Sequence, residues 1–403
     1  MAQTSDSTGR RNHPDWFDAY KEEYLKRWRA YEPFPFDQPS DTENYLSLHQ
    51  NDYLRLSNHP NVIEAKNLAN ARSGSGPMAS IIYGGDTGEH QKFRDSLKSC
   101  LNAGDVMLTT AGWTANVGLV ESVAQPDMPV YLDYQAHASL WDGGKLAGAK
   151  TIPVRHNDPA HMEQRIKRYG RGVVCIDAYY STDGSVPDLQ RYVEICEAND
   201  CLLILDEAHS FGMTGPKGGG LAVELGLEER IPLRTVSMSK ALGGNGGFIA
   251  ASEEFVWFLK HRARSVIFSS SPSPAGSAGS NAALQVALRE PERAQTCLQM
   301  GALLRKLLLE RDIDPGTSNS QIISLYFDSD PAAAKFYGLM RKQGILVSVF
   351  TAPAVPRDTS LARFSIHCET TAEDMVKVAD ASAASLAKMG VKVTPPFSFV
   401  AKI

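Results

Sequence analysis

The chain has 403 residues, of which 43% are hydrophobic and 22% are charged, and its formal net charge is −5. This length predicts more than one domain, and the composition is ordinary for a soluble globular enzyme. The slight acidity disfavours a nucleic-acid partner, because such partners usually require a basic face. No apolar run reaches the ~20 residues of a transmembrane helix, and the polar N-terminus lacks the apolar segment of a signal peptide.

The six cysteines are scattered along the chain, and none belongs to a C-x-x-C pair. Cys196 and Cys201 are the nearest two, but no second ligand pair follows them, so no metal site is predicted. Cys175 and Cys201 lie in apolar, strand-like stretches, which indicates a packing role. This cysteine usage predicts a reduced, cytoplasmic location.

The N-terminal region, residues 1–55, is predicted to contain a helix and an arm. Apolar side chains recur at i, i+1, i+4, i+8 and i+12 between Pro14 and Trp28, which predicts an amphipathic helix. Its polar face mixes acidic with a few basic residues, so packing on a partner subunit is favoured over binding to a membrane surface. We expect the first dozen residues to be disordered and the Pro-rich run 31–39 to form a linker or arm.

Two regions with different strand and helix patterns follow this arm, and together they predict an α/β protein. In residues 56–280, apolar strand candidates alternate with helical runs, which predicts a large domain with a mostly parallel sheet and helices on both faces. Residues 281–403 contain three further strand candidates with helices between and after them, which predicts a small α+β C-terminal domain. The strand candidates are 130–133, 172–176, 202–206, 235–238 and 247–251, and then 321–327, 344–349 and 362–367.

Lys240 and Asp206 carry the strongest chemical signal. Lys240 follows an apolar lead-in with small hydroxyl residues and precedes a run of glycines. A lysine buried beside a cation has a lowered pKa, which suits a Schiff base with an aldehyde cofactor. Asp206 ends an apolar strand at the edge where open α/β sheets place ligands, and a carboxylate there can pair with the pyridine nitrogen of pyridoxal phosphate (PLP). The alternatives are a surface lysine before a turn and a helix-capping aspartate, but the two residues together predict PLP.

Four more residues are predicted to surround the cofactor. His209, three residues after Asp206, is placed to support that carboxylate or the ring. Gly112 and Trp113 open a helix-like run whose N-terminal N–H groups suit a phosphate, although Trp113 alone is equally consistent with a core residue. His137 follows another strand and is placed to stack on the flat ring.

Motifs spread over residues 44–367 resemble those of the α-oxoamine synthases, a branch of the fold-type I PLP enzymes. They include Asn51-Asp-Tyr-Leu54, Gly88-Glu-His90 and Ser181-Thr-Asp-Gly184. The resemblance implies a central sheet of the seven-stranded type, amino-acid and acyl-CoA substrates, and a homodimer with shared active sites. It also implies roles for individual residues: Asn51 and Tyr53 in the substrate loop, Ser181 at the phenolic oxygen of PLP, Ser237 and Ser239 at its phosphate, Ser269 and Ser270 at the phosphate across the dimer interface, and Arg363 at the substrate carboxylate.

Within this family, Gly112-Trp113 and the segment from His137 to Trp141 are most similar to the CqsA-type synthases, which make precursors of quorum-sensing α-hydroxyketone autoinducers. Segment 74–90 is more similar to the family at large. The resemblance implies that an α-amino acid or S-adenosylmethionine condenses with a medium-chain acyl-CoA, with loss of CoA and CO2. A serine palmitoyltransferase-like enzyme and a glycine- or alanine-using synthase remain open. A PLP aminotransferase or desulfurase and a PLP-fold binding protein without turnover are more distant alternatives.

Overall fold

The structure is a computed structural model that describes residues 14–28, 44–352, 354–355 and 359–393. The segments predicted to be disordered or a Pro-rich arm lie outside the described residues. The helix predicted after Pro14 is present as α1 (Asp15–Trp28), and its aromatic side chains Trp16 and Tyr20 are exposed. No helix in the described ranges is both long and apolar enough to cross a membrane.

The described residues form the following elements. The strands are β1 (Leu46–Ser47), β2 (Asp105–Thr109), β3 (Pro129–Asp133), β4 (Lys150–Val154), β5 (Val173–Asp177), β6 (Leu202–Asp206), β7 (Leu233–Ser237), β8 (Gly247–Ala251), β9 (Ile322–Phe327), β10 (Ile345–Leu346), β11 (Ser348–Phe350) and β12 (Ser360–Ser365). The helices after α1 are α2 (Pro60–Ser73), α3 (Gly88–Leu101), α4 (Gly112–Val123), α5 (Ala138–Leu146), α6 (Pro159–Tyr169), α7 (Leu189–Ala198), α8 (Leu221–Glu224), α9 (Glu253–Arg262), α10 (Arg264–Ile267), α11 (Pro274–Arg289), α12 (Glu292–Leu309), α13 (Asp330–Lys342) and α14 (Ala372–Met389).

A seven-stranded sheet forms the centre of the fold, with the strand order β2-β8-β7-β6-β5-β3-β4. Strand β8 is antiparallel to both of its neighbours, and the other adjacent pairs are parallel. The predicted mostly parallel sheet is therefore confirmed. Because parallel strands end at the same edge, Asp177, Asp206 and Thr235 lie side by side in register. The opposite direction of β8 brings its first residue, Gly247, opposite Ser237 at that edge.

The central strands are buried on both faces, which explains their continuous apolar sequences. In β6, Ile204 packs into the hydrophobic cluster beneath α4 and α9, whereas Leu203 and Leu205 pack into the cluster beneath α6 and α7. This alternation follows from the two-residue period of a strand. Each such side chain contributes about 2 kcal/mol when it is removed from water, so the two helical layers hold the sheet from both sides.

The C-terminal region contains an antiparallel sheet of order β11-β12-β9. The prediction of one strand over residues 344–349 is wrong, because the chain changes partners at Val347. Strand β10 pairs in parallel with β1 near the N-terminus, and β11 pairs with β12. An unbroken apolar run does not show such a change of partner. The residues that follow β1 lie beside β12, since the Ser365 backbone N–H donates to the Leu48 carbonyl.

Candidate active site

Lys240 lies in the turn that follows β7, at the edge of the sheet where the parallel strands end. Burial, together with the nearby Arg363 guanidinium, lowers the pKa of Lys240 to about 8, against the opposing effect of Asp206. About a tenth of this amine is therefore unprotonated at pH 7, far more than for an ordinary lysine. An unprotonated lysine amine is the form that attacks a carbonyl.

Asp206 is buried at the end of β6, and neighbouring groups hold both of its carboxylate oxygens. The Asn116 side chain donates to Oδ2 at 2.6 Å, and the Ala208 backbone N–H donates to Oδ1 at 2.9 Å. Asn116 also donates to Ser139 Oγ at 2.9 Å and accepts from Thr235 Oγ1 at 2.6 Å. Sequence reasoning gave Asn116 no role, since its partners lie 90 and 119 positions away in the chain.

His137 precedes α5 and is held at two points. Its backbone N–H donates to Asp177 Oδ1 at 3.1 Å, and its Nδ1 lies 2.6 Å from Ser139 Oγ. Burial lowers the pKa of His137, although the Asp206 carboxylate opposes this effect. A neutral ring suits stacking on a flat cofactor. The Trp113 ring meets this imidazole edge-on at 5.8 Å and is 46% exposed, which excludes a core role for Trp113.

Small residues and hydroxyl groups surround the N-terminus of α4. A Cβ atom on Gly112 would lie 2.7 Å from Ser237 Cβ, so only glycine permits this close approach. The hydroxyl oxygens of Ser237 and Ser239 are 2.8 Å apart. Hydroxyl donors beside the positive end of a twelve-residue helix form a suitable phosphate site. Ser269 and Ser270 line a small cavity beside this helix, together with Thr110 and Thr114 of the same chain.

Arg363, in β12, is a buried cation without a carboxylate within ion-pair distance among the described residues. Its Nη1 donates to the Ser181 carbonyl at 2.8 Å, and its Nη2 donates to Asn51 Oδ1 at 2.9 Å. Its Nε has no acceptor within the described ranges, and the guanidinium lies over the Phe350 ring at 4.6 Å. Because an unpaired buried charge is costly, this arrangement fits a site that receives an anion such as a substrate carboxylate.

Two groups of residues make up the site: the cofactor side, with Lys240, Asp206 and His137, and the carboxylate side, with Arg363 and Asn51. His209 interacts with both groups. Its Nδ1 lies 2.7 Å from the Tyr53 hydroxyl, and its backbone carbonyl accepts from Gln321 Nε2 at 2.9 Å. Burial, followed by the charges of Lys240 and Arg363, lowers the pKa of His209 well below its ordinary value. The ring is therefore neutral. Gln321 had no predicted role, because nothing in its local sequence connects it with His209.

These groups fit the cofactor that the sequence predicts. An amine of lowered pKa, a held carboxylate, a neutral ring and a helix N-terminus with hydroxyl groups correspond to the aldehyde, pyridine nitrogen, ring face and phosphate of PLP. The structure shows the backbone carbonyl of Ser181 bound to Arg363, and the role of its hydroxyl remains a prediction. No cluster of three or more metal-binding side chains occurs in the described part of the chain.

Known proteins resemble this chain over most of its length. The family profile described as aminotransferase class I and II matches residues 43–381. The CAI-1 autoinducer synthase of Vibrio campbellii is 32% identical over 81% of this chain and 83% of its own length. The serine palmitoyltransferase of Sphingobacterium spiritivorum is 30% identical over 87% and 90%, respectively. The 8-amino-7-oxononanoate synthase of Mycolicibacterium gilvum is 33% identical over 82% and 87%.

Solved structures share the fold at lower sequence identity. The serine palmitoyltransferase of Sphingomonas wittichii superposes with a TM-score of 0.85 at 23% identity, covering 94% of this chain and 98% of that chain. The 8-amino-7-oxononanoate synthase of Francisella tularensis superposes with a TM-score of 0.76 at 22% identity, covering 86% and 99%. These structures show the fold, and the profile and the relatives show that the chain belongs to the α-oxoamine synthases, PLP-dependent acyltransferases of fold type I.

Proposed function

We propose that this enzyme condenses an α-amino acid or S-adenosylmethionine with a medium-chain acyl-CoA to form an α-amino ketone for autoinducer synthesis. The observation that carries the condensation is the buried guanidinium of Arg363, which has only neutral acceptors among the described residues, offers a carboxylate site and also lowers the pKa of Lys240. The choice of the autoinducer branch is supported by the Vibrio campbellii relative and by the Gly112-Trp113 pair.

Bound PLP supplies an electron-withdrawing ring that stabilises negative charge at the substrate Cα. Arg363 and Asn51 bind and orient the amino-acid carboxylate, and the unprotonated Lys240 amine removes the Cα proton. Asp206, held by Asn116, would keep a proton on the pyridine nitrogen. His137 would cover one face of the ring and shield it from water.

The condensation with the acyl-CoA then involves these bond changes. A bond forms between the substrate Cα and the acyl carbonyl carbon, the carbon–sulfur bond breaks, and CoA leaves as a thiolate that takes a proton from solvent. The substrate carboxylate leaves as CO2, and a proton returns to Cα from the Lys240 ammonium. Once CO2 has left, the Arg363 guanidinium again lacks an anionic partner, which favours release of the uncharged end of the product.

We also propose a homodimer, active in the cytoplasm, in which Ser269 and Ser270 contact the phosphate in the partner's site. Hydrogen bonds from Ser80 and Ser271 join segments 78–83 and 266–271. Three large side chains on this surface are 70–75% exposed, which is unusual for apolar groups unless another surface covers them. They are Met78, Tyr83 and Phe268. Sedimentation of the PLP-loaded protein tests this proposal, and an active monomer contradicts it.

A serine palmitoyltransferase-like activity is the second candidate. It is favoured by the Sphingobacterium relative, which aligns over more of both chains than the Vibrio relative does. The deciding experiment measures thiol release for acyl-CoAs of increasing length against a panel of amino acids and S-adenosylmethionine, and determines product masses. Release with medium-chain thioesters and 2-aminobutyrate or S-adenosylmethionine supports the autoinducer proposal. Release with serine and long-chain thioesters supports the second candidate, and no release with any pair contradicts both.

A further inference from the structure

A row of neighbouring polar side chains extends from the carboxylate side of the site to His209. Arg363 Nη2 donates to Asn51 Oδ1 at 2.9 Å, and this same oxygen lies 3.3 Å from the Tyr53 hydroxyl. The hydroxyl in turn lies 2.7 Å from His209 Nδ1. Tyr53 and His209 are both buried and come from segments 156 positions apart. The predicted role of Tyr53 was substrate binding, but its hydroxyl points to a histidine.

The Tyr53 hydroxyl has one proton, and among the described residues its side-chain contacts within 3.5 Å are Asn51 Oδ1 and His209 Nδ1. The nearby Gln321 side chain makes no hydrogen bond to it within that distance. Burial raises the pKa of Tyr53, so the phenol keeps its proton. The 3.3 Å separation from Asn51 Oδ1 exceeds the usual O–H···O range, whereas the 2.7 Å separation from His209 Nδ1 is ideal. Arg363 already donates to the Asn51 oxygen. The geometry therefore assigns the phenol proton to the bond with His209.

This bond determines which nitrogen of the imidazole carries the ring proton. A neutral imidazole has one donor and one acceptor nitrogen. The lowered pKa of His209 keeps the ring neutral, so an Nδ1 that accepts from Tyr53 requires the proton to lie on Nε2. Such a hydrogen bond from a second residue commonly selects the histidine tautomer in functional sites.

We propose that Tyr53 is a positioning residue that holds His209 as the Nε2–H tautomer, so that His209 would present a hydrogen-bond donor toward bound PLP. The proposal rests on the assignment of His209 to the cofactor site, and it is independent of which amino acid or thioester reacts. The opposite arrangement has an Nδ1–H donating to Tyr53, whose hydroxyl then donates to Asn51 across the longer distance.

Nitrogen-15 NMR of the PLP-loaded protein, labelled at its histidine rings, distinguishes the two arrangements. The His209 signals are assigned from their absence in His209→Gln. We expect an Nε2–H ring in the wild type and a mixture of tautomers in Tyr53→Phe. Tyr192→Phe is the matched control, because it removes a buried tyrosine hydroxyl that has no hydrogen-bond partner in the described ranges. It should leave the His209 signals unchanged. An Nδ1–H ring in the wild type overturns the proposal.

The dissociation constant of PLP provides a second readout in a double-mutant cycle. We expect Tyr53→Phe to weaken PLP binding about tenfold, as is typical for loss of one buried hydrogen bond. In His209→Gln, the glutamine NH2 group lies near the former Nε2 position and is a donor whether or not Tyr53 is present. Tyr53→Phe in this background should therefore change the dissociation constant of PLP less than about twofold. Equal losses in both backgrounds overturn the proposal. If the tautomer is confirmed but no substrate pair releases thiol, only the proposed function fails.

Discussion

The cofactor side and the carboxylate side of the site are assembled in different ways. Asp206 is the last residue of β6, and Lys240 and His137 follow β7 and β3, all strands of one sheet. The carboxylate side joins Asn51 and Arg363, which are 312 positions apart. A parallel sheet gathers its strand ends through its topology, so the cofactor side follows from the fold alone. The carboxylate side depends on how the N-terminal segment packs against the small antiparallel sheet.

The two sides also differ in the partners of their buried charged groups. On the cofactor side, the Asp206 carboxylate is held by Asn116 and a backbone N–H. On the other side, the Arg363 cation has only neutral acceptors among the described residues. This unpaired cation acts on both sides, since it lowers the pKa of Lys240. Substitutions confined to one side therefore test whether that side affects the chemistry of the other.

The largest effect is expected for Lys240→Ala, which removes the amine from the cofactor side. Loss of a group that both attaches the cofactor and moves a proton should reduce kcat about 10⁴-fold. Thiol release and the visible absorbance of the PLP-loaded protein measure this change. Lys342→Ala, at an exposed lysine at the end of α13, is the control and should retain activity. Comparable turnover by Lys240→Ala would show that the nucleophile lies elsewhere.

A smaller effect, confined to the amino acid, is expected for Arg363→Gln. Loss of the guanidinium removes a buried charge pair with the substrate carboxylate, which costs about 3 kcal/mol and raises the KM for the amino acid roughly 100-fold. The KM for the acyl-CoA should change little. Arg171→Gln, at a guanidinium on the exposed surface, is the control. A selective effect on the acyl-CoA instead would assign Arg363 to the other substrate.

Asn116→Ala should weaken PLP binding by about one order of magnitude. It leaves Asp206 Oδ2 and the Thr235 hydroxyl without their partner, and an unsatisfied buried polar group costs about 1–3 kcal/mol. The PLP dissociation constant and the thermal unfolding temperature measure the loss. Asn67→Ala, on the exposed face of α2, provides the comparison. Unchanged PLP affinity would restrict Asn116 to a packing role.

The smallest effect concerns the coupling between the sides. The rate at which apoenzyme recovers PLP should rise with pH as Lys240 loses its proton, with a midpoint near the pKa of about 8. Arg363→Gln removes a positive neighbour, so the lysine holds its proton more tightly and the midpoint should move to higher pH. Stopped-flow absorbance across pH 6–11 measures both profiles. An unchanged midpoint would show that the two sides act independently.

Sequence patterns predicted different parts of this molecule with unequal success. The mostly parallel sheet follows from continuous apolar strands alternating with helices, and the structure confirms it. The single strand predicted over 344–349 is wrong, because two short strands there join different sheets. Asn116 and Gln321 were not predicted as site residues, because an amide side chain has no characteristic local motif and their partners are distant in the chain. The roles predicted for Ser181, Ser269 and Ser270 stay predictions.

The order of apolar and polar residues was sufficient to specify the class of fold, and motif spacing was sufficient to predict Lys240 and Asp206 as the chemical centre, a role that stays a prediction. Such features are local, because they depend on strand periodicity and on the residues that follow each strand. The burial of Arg363, its effect on Lys240, and the contact between Tyr53 and His209 arose only when distant segments packed together. Burial and electrostatic interaction depend on distances through space, which a linear order of residues does not contain.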